Sequence, residues 1–348
     1  MIKSCHIADK LAKNRILERD EFEQLLTVSY DAKYLHQKAV EAQRQVYGNK
    51  IFIRGLIEFT NVCKHNCYYC GLRRDNKGLS RYRLSPEQIL ECCRSGYGMG
   101  FRTFVLQGGE DDYFCDDKLC AIVRNIKAAY PECAITLSVG ERSRESYRAL
   151  FNAGADRYLL RHETATVSHY VSLHPPNMSL ENRKNCLRDL KEIGYQVGCG
   201  FMVGSPGQTV DHIVNDLLFI KELEPEMVGV GPFIPHAATP FSAEKTGELQ
   251  LVLNILAILR LMKPNLLLPA TTALGTIHPQ GREMGILAGA NVVMPNLSPT
   301  DTRKKYLLYD SKIGTEDDPA NAREVIDKKM QAIGYEVVTA RGDYSAEA

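Results

Sequence analysis

The chain has 348 residues, with 43 Lys and Arg against 42 Asp and Glu, so its formal net charge is +1 and no single-sign field covers it. That balance excludes a nucleic-acid backbone or an anionic membrane as the main partner. With 44% hydrophobic and 24% charged residues the composition excludes a disordered or fibrous chain, while the length leaves open one large domain or two.

Residues 1–50 are polar and helical in pattern, with Ile16, Phe22, Leu25 and Leu26 spaced for one helix face, and read as a helical N-terminal extension. Their opening is charged throughout and lacks the apolar core of a secretory signal. A cytoplasmic protein is expected. In that reducing compartment its eleven cysteines should be free thiols, buried small hydrophobes or metal ligands rather than disulfides.

From residue 51 short β-rich runs alternate with helical stretches. Strands are predicted over 51–59, 103–107, 134–138, 157–162, 196–203, 227–231, 266–271 and 291–294. A helix opens at Ser85 with Pro86 in its first position, and another over 143–152 stops before Gly154. The most apolar stretch, 249–262, is interrupted by Gln250, Asn254 and Arg260 and falls short of the ~20 residues that span a bilayer, so it reads as a buried helix.

Eight strands in this alternation specify an α/β fold, a (β/α)8 TIM-type barrel over 51–310, with an open doubly wound sheet as the alternative. The barrel explains why polar chemistry gathers where strands end. Cys63, Cys67 and Cys70 follow the first strand, Gln107-Gly108-Gly109-Glu110 the second, Ser138 to Glu141 the third, and Arg161-His162-Glu163 the fourth. Gly204 to Gln208 follows the fifth, and Gly231-Pro232-Phe233, Thr271-Thr272 and Met294-Pro295-Asn296 the last three. Residues 311–348 form a C-terminal extension expected to pack on the barrel, its last residues mobile.

The C-x3-C-x2-C spacing lets three thiolates converge within one loop. Structural zinc wants four closed ligands, and no second cysteine pair appears downstream, although His65 lies inside the loop. The other reading is a four-iron four-sulfur cluster on three cysteines, its fourth iron open to the amino and carboxylate groups of S-adenosylmethionine.

With Tyr69 just before its third cysteine, this loop resembles that of the radical S-adenosylmethionine superfamily, whose aromatic there borders the adenine. Gly108-Gly109-Glu110 resembles its second-strand motif, where backbone meets the amino acid end of the cofactor. Within that superfamily, 57–63, 70–76, 157–164, 229–236 and 269–273 resemble the FeFe-hydrogenase maturase HydE family. The similarity runs from about Ile51 to Tyr309 and is closer than to biotin synthase or methylornithine synthase.

Arg161 and Glu163 are two apart on a strand and share a side, which admits a structural ion pair or two separate tasks. The resemblance implies the latter, with Glu163 on the ammonium or ribose of the cofactor and Arg161 on a substrate carboxylate. Arg183 matches a family arginine near the cofactor carboxylate; otherwise it is a solvated helix charge. Thr136 and Ser138 share a face, and with Arg161, Thr271 and Thr272 they make an anion-binding floor as the family places it. The resemblance also sets Ser138, Met202 and Tyr306 against the cofactor and Met294 against the substrate. Gly204 to Gln208 is a tight turn that also lets backbone approach a ligand. His162, His236 and His278 have no metal-ligand spacing, and most remaining cysteines read as buried thiols.

Two departures from the family matter. Where some members carry a second cysteine cluster this chain reads Lys312-Ile313-Gly314, so one cluster is expected. Gly108 stands where some place an anion-binding serine. The resemblance implies an enzyme that cleaves S-adenosylmethionine to a 5′-deoxyadenosyl radical, which acts on an iron-bound cysteine bearing carbon monoxide and cyanide. It also implies an electron donor such as ferredoxin or flavodoxin, and the other hydrogenase maturases as partners. The alternatives are a related enzyme acting on another small thiol, thiazolidine or amino acid, and a non-catalytic iron–sulfur scaffold or carrier.

Overall fold

The computed structural model describes residues 2–27, 32–315 and 319–345. The expected mobility of the last residues concerns 346–348, outside the described residues. The amino-terminal extension forms helices Ile2–Asn14, Arg19–Thr27 and Ala32–Tyr47. Their apolar faces, with Leu11, Phe22, Leu25, Leu35 and Ala39, pack into the same core as helix Leu249–Met262. That helix is apolar on nearly every side because it is covered on nearly every side. Among the described residues no helix is long and apolar enough to cross a membrane.

The strands, in chain order, are β1 Lys50–Ile53, β2 Gly55–Thr60, β3 Thr103–Gly108, β4 Ala134–Ser138, β5 Arg157–Leu159 and β6 Gln196–Cys199. They continue with β7 Met202–Val203, β8 Met227–Val228, β9 Gly231–Pro232, β10 Val292–Val293 and β11 Glu336–Val338. A parallel sheet runs β2-β3-β4-β5-β6-β8. Parallel bridges Met227 to Leu267, Pro269 to Val292 and Asn296 back to Leu56 close it into a ring. The result is the expected eight-staved (β/α)8 barrel.

The strand expected over 266–271 is held by isolated bridges instead. Pro269 has no N–H to give the ladder, and the N–H of Leu268 goes to the side chain of Asn291 at 2.9 Å. The run expected over 196–203 breaks at Gly200, whose φ is +150° and where a Cβ would lie 2.0 Å from the carbonyl oxygen of Gly229. The run over 227–231 divides at the same level, into β8 and β9. The helix expected at Ser85 runs Pro86–Gly98, with Ser85 and Gln88 capping each other reciprocally. Thr209 and His212 do the same for Val210–Leu223.

Phe104, Leu106, Ile135, Leu137, Tyr158 and Val197 face the helices and join the main core. The alternating residues therefore face the barrel axis. At the amino-terminal end of the barrel that axis is plugged. β11 pairs with β1, and the segment after it meets Arg157, which is fully buried. Arg157 donates to Thr103 Oγ1 and to the carbonyl of Arg341, both at 3.0 Å, and pairs with Asp343.

Burial works against ionisation of Asp343, but Arg341 and Arg157 outweigh it and hold the carboxyl down at about 2. A depressed carboxyl stabilises the fold above its unfolded pKa of ~3.9 and loses that effect as pH falls through its folded one. Asp343→Asn is therefore expected to be less stable than the parent at neutral pH. In an acid series of denaturant melts the difference should shrink below pH ~4 and vanish below about 2.

Candidate active site

The loop after β2 has little core of its own and is wound around one cation. Arg81 donates to the carbonyls of Asn61, of Leu72 at 2.9 Å, of Arg73 at 2.7 Å and of Asn76 at 3.3 Å. The Asn61 amide donates to the carbonyls of Ser80 at 2.9 Å and Lys305 at 2.7 Å. Asn76 donates to the Gly71 carbonyl at 2.7 Å. Gly71 is a point of close approach, where a Cβ would stand 2.2 Å from the Leu307 carbonyl oxygen and 2.3 Å from His236. Asn61, Gly71 and Asn76 fall in segments that carry the family resemblance, whereas Arg81 lies outside them and was not anticipated.

Cys63, Cys67 and Cys70 are partly exposed free thiols along this loop. Burial pushes all three up, Cys70 to about 12 and Cys67 well above its usual value, and the neighbouring thiols raise both further. Three thiolates collect there only on a strongly cationic group. Among the described residues no three His, Cys, Asp or Glu side chains meet at the spacing of one metal ion. Zinc draws its thiolates to within about 2.3 Å of one point. A four-iron cube takes each thiolate on a separate corner, and three cysteines spread along one loop suit that donor set.

Several charged residues near the cysteines are buried and paired. Arg183, 7% exposed, lies 2.7 Å from Glu141, which excludes the solvated reading of that arginine. Burial opposes its charge, but Glu141 and then Tyr170 and Glu110 more than offset that and its pKa rises. Glu110 contacts His65 Nε2 at 2.8 Å and accepts from the Glu141 N–H at 3.0 Å. It fills the space over Gly140, where a Cβ would lie 2.0 Å away. At Gly109 a Cβ would meet the Val62 carbonyl at 2.3 Å and Cys63 at 2.7 Å, so backbone lies directly against the cysteine loop. Gly108 is crowded by Thr60 and Phe59, at 2.7 and 3.2 Å from such an atom.

Tyr69 donates to Nε2 of His174 at 3.2 Å, and Nδ1 of His174 donates to the Tyr170 carbonyl at 3.0 Å. Burial holds His174 down at about 3, so the ring is neutral and this tautomer is the one that satisfies both bonds. Met202 joins Leu173 and Phe233 in an apolar patch on which Tyr69 packs. His174 was not anticipated, since a lone histidine after a short helix gives no signal.

Arg161 and Glu163 stand 3.0 Å apart. The charge of Glu163 is felt at Cys67, Cys70 and Tyr69, which places it beside the cysteine loop. Ser138 lies in register with Gln107, and Gln107 with Glu58, in one inward row. Thr136, one inward position lower, buries a hydroxyl without a hydrogen-bond partner. Tyr306 is buried, and its hydroxyl accepts from Gln107 at 3.3 Å. Thr271 is drawn toward helix Thr272–Ile277, its hydroxyl capping the Leu274 N–H at 3.4 Å. Thr272 and Met294 line a cleft of about 210 Å³ together with Asn296 and Lys312.

Lys312 is buried and pairs with Glu58, which also accepts from Asn296 at 2.7 Å. Burial raises the Glu58 carboxyl in spite of these partners. An acid inside the apolar run 55–60 was the available signal for it. His162, His236 and His278 do not meet one another. Cys92, Cys93, Cys120, Cys133, Cys186 and Cys199 are buried, Cys5 is partly exposed and Cys115 is exposed.

The model of the Radical SAM superfamily matches residues 57–220. The FeFe hydrogenase maturase subunit HydE of Thermotoga maritima is 52% identical over 279 residues, 80% of this chain and 79% of that protein. A 3-methylornithine synthase of Methanosarcina acetivorans is 29% identical over 94% of this chain and 92% of its own. A solved methylornithine synthase shares the fold with a TM-score of 0.81 at 26% identity, covering 95% of this chain and 97% of that one.

A methyl at Gly71 would strike both the Leu307 carbonyl and the His236 ring. Gly71→Ala is therefore expected to lower the iron and sulfide retained on anaerobic reconstitution while leaving the melting of the barrel nearly unchanged. Full retention of both would show that the loop tolerates displacement there.

Proposed function

This chain belongs to the HydE family of radical S-adenosylmethionine enzymes, and from that membership we propose that it matures the diiron subsite of an FeFe-hydrogenase. The observation that carries the reading is the three-cysteine loop set against the Arg161–Glu163 and Arg183–Glu141 pairs at the barrel mouth. When bound, the cluster and S-adenosylmethionine supply reductive cleavage to methionine and a 5′-deoxyadenosyl radical.

The residues divide the remaining work. Gly108, Gly109 and Glu110 offer backbone to the amino acid end of the cofactor, and Arg183 attracts its carboxylate. Tyr69, fixed by His174, borders the adenine, with Met202 beside it. Ser138 and Tyr306 complete that side. Glu163 accepts from the ammonium or ribose, and in doing so releases Arg161 to grip a substrate carboxylate with its planar fork. Thr136, with its unpartnered hydroxyl, and Thr271, Thr272 and Met294 form the floor and wall of the substrate space. The plugged amino-terminal end keeps water out from below, which protects a radical from side reactions.

The substrate proposed is an iron-bound cysteine bearing carbon monoxide and cyanide, with its sulfur as the reacting atom. A ferredoxin or flavodoxin supplies the electron, the other hydrogenase maturases are partners, and the setting is the cytoplasm. Gly108 favours a second reading. It leaves out the serine that some relatives use for anions, and the crowding by Thr60 explains why a side chain is not accommodated. An enzyme acting on another small thiol or amino acid would follow.

Anaerobically reconstituted protein with reductant and S-adenosylmethionine tests both. Formation of 5′-deoxyadenosine stimulated by the iron–cysteine complex supports the maturase, stimulation by another amino acid alone supports the second reading, and no cleavage supports a scaffold. Arg161→Ala is expected to raise the KM for substrate about tenfold or more, and to leave cofactor cleavage without substrate within about twofold.

A further inference from the structure

Glu163 has a backbone φ of +66°, a left-handed conformation that side-chain-bearing residues rarely adopt and that the surroundings must impose. The imposing contacts come from behind the strand. The Glu163 N–H donates to the Gly200 carbonyl at 3.0 Å, and the Gly200 N–H donates to Nδ1 of His162 at 3.3 Å. Nδ1 is therefore the acceptor nitrogen and Nε2 carries the proton. That nitrogen lies 3.3 Å from Oδ1 of Asp216, and the same oxygen accepts the N–H of Ala165.

His162 and Asp216 are both fully buried. His162 sits between the rings of Phe201 and Phe219, on the helix side of the wall, while Arg161 and Glu163 point the other way. Gly200 is packed closely against the Gly229 backbone, where a Cβ would lie 2.0 Å from the carbonyl oxygen. The turn 161–165 is thus clamped at Gly200 from one side and at Asp216 from the other.

We propose that His162 and Asp216 are positioning residues for Glu163: as a buried pair they hold the 161–165 turn so that the Glu163 carboxylate reaches S-adenosylmethionine. This rests on Glu163 being a cofactor contact. A pair that merely filled space would set stability without setting cofactor affinity. A pair that aims Glu163 acts only through that carboxylate.

The test is the dissociation constant for S-adenosylmethionine on the reconstituted full chain, by anaerobic equilibrium dialysis, with the melting temperature alongside. Asp216→Leu removes the acceptor on the same branched heavy-atom skeleton and is expected to weaken binding about tenfold. Asp216→Asn keeps an oxygen for both His162 and Ala165 and should stay within about threefold of the parent. In a Glu163→Gln background Asp216→Leu should cost no further affinity. His162→Gln reaches Asp216 but offers the Gly200 N–H no acceptor. It should weaken binding as Asp216→Leu does and serves if that variant does not fold.

Additive losses in the double variant, or a lowered melting temperature with unchanged affinity, would overturn the proposal alone. Unchanged affinity in Glu163→Gln itself would overturn the underlying reading of Glu163, and the proposal with it.

Discussion

Backbone carbonyls wound around the Arg81 guanidinium hold the cysteine loop in shape, and the barrel mouth takes its geometry from that loop. A segment with three partly exposed thiols and several charges has little apolar surface to anchor it. One guanidinium with five donors in a fixed fork can satisfy several carbonyls at once. The loop then serves as a wall for others. Gly109 lies against Cys63, Met178 lies 3.7 Å from Cys67, and the strand of chain at Leu307 and Leu308 closes over Gly71.

The second constraint is buried charge. Arg161 with Glu163, Arg183 with Glu141, Glu58 with Lys312 and Arg157 with Asp343 put four ion pairs in or around one barrel. Desolvation makes each isolated charge costly, so each is matched by a partner. The pairs at the mouth differ from the one at the base. Arg157 is sealed beneath the C-terminal segment, whereas Arg161 is about one-third exposed and its contact with Glu163 is not an aligned hydrogen bond.

Irregularity in the barrel wall falls where the chemistry is placed. β5 ends before Arg161, the strand of β6 and β7 is interrupted at Gly200, and Glu163 takes a left-handed backbone between them. The alternation of side chains survives there, with His162 toward the helices and Arg161 and Glu163 toward the axis, and the left-handed backbone at Glu163 then turns the chain out of the strand. At Pro269 a missing donor has a different outcome, a thin seventh stave that the Asn291 side chain completes.

Much of this was legible in the one-dimensional order of residues. Alternating strand and helix periodicity specified the barrel, Ser85 marked a helix start, and three cysteines after a strand specified the metal-binding loop, because each depends on neighbours close in sequence. What only the tertiary structure decided was partnership across the fold. Glu58 meets Lys312 more than two hundred residues away, His174 fixes Tyr69, Arg81 gathers four carbonyls, and Asp216 reaches back to His162. Such pairings follow from burial. A polar group taken from water must find a partner wherever the packed chain brings one, and that place is set by the closed barrel rather than by spacing along the chain.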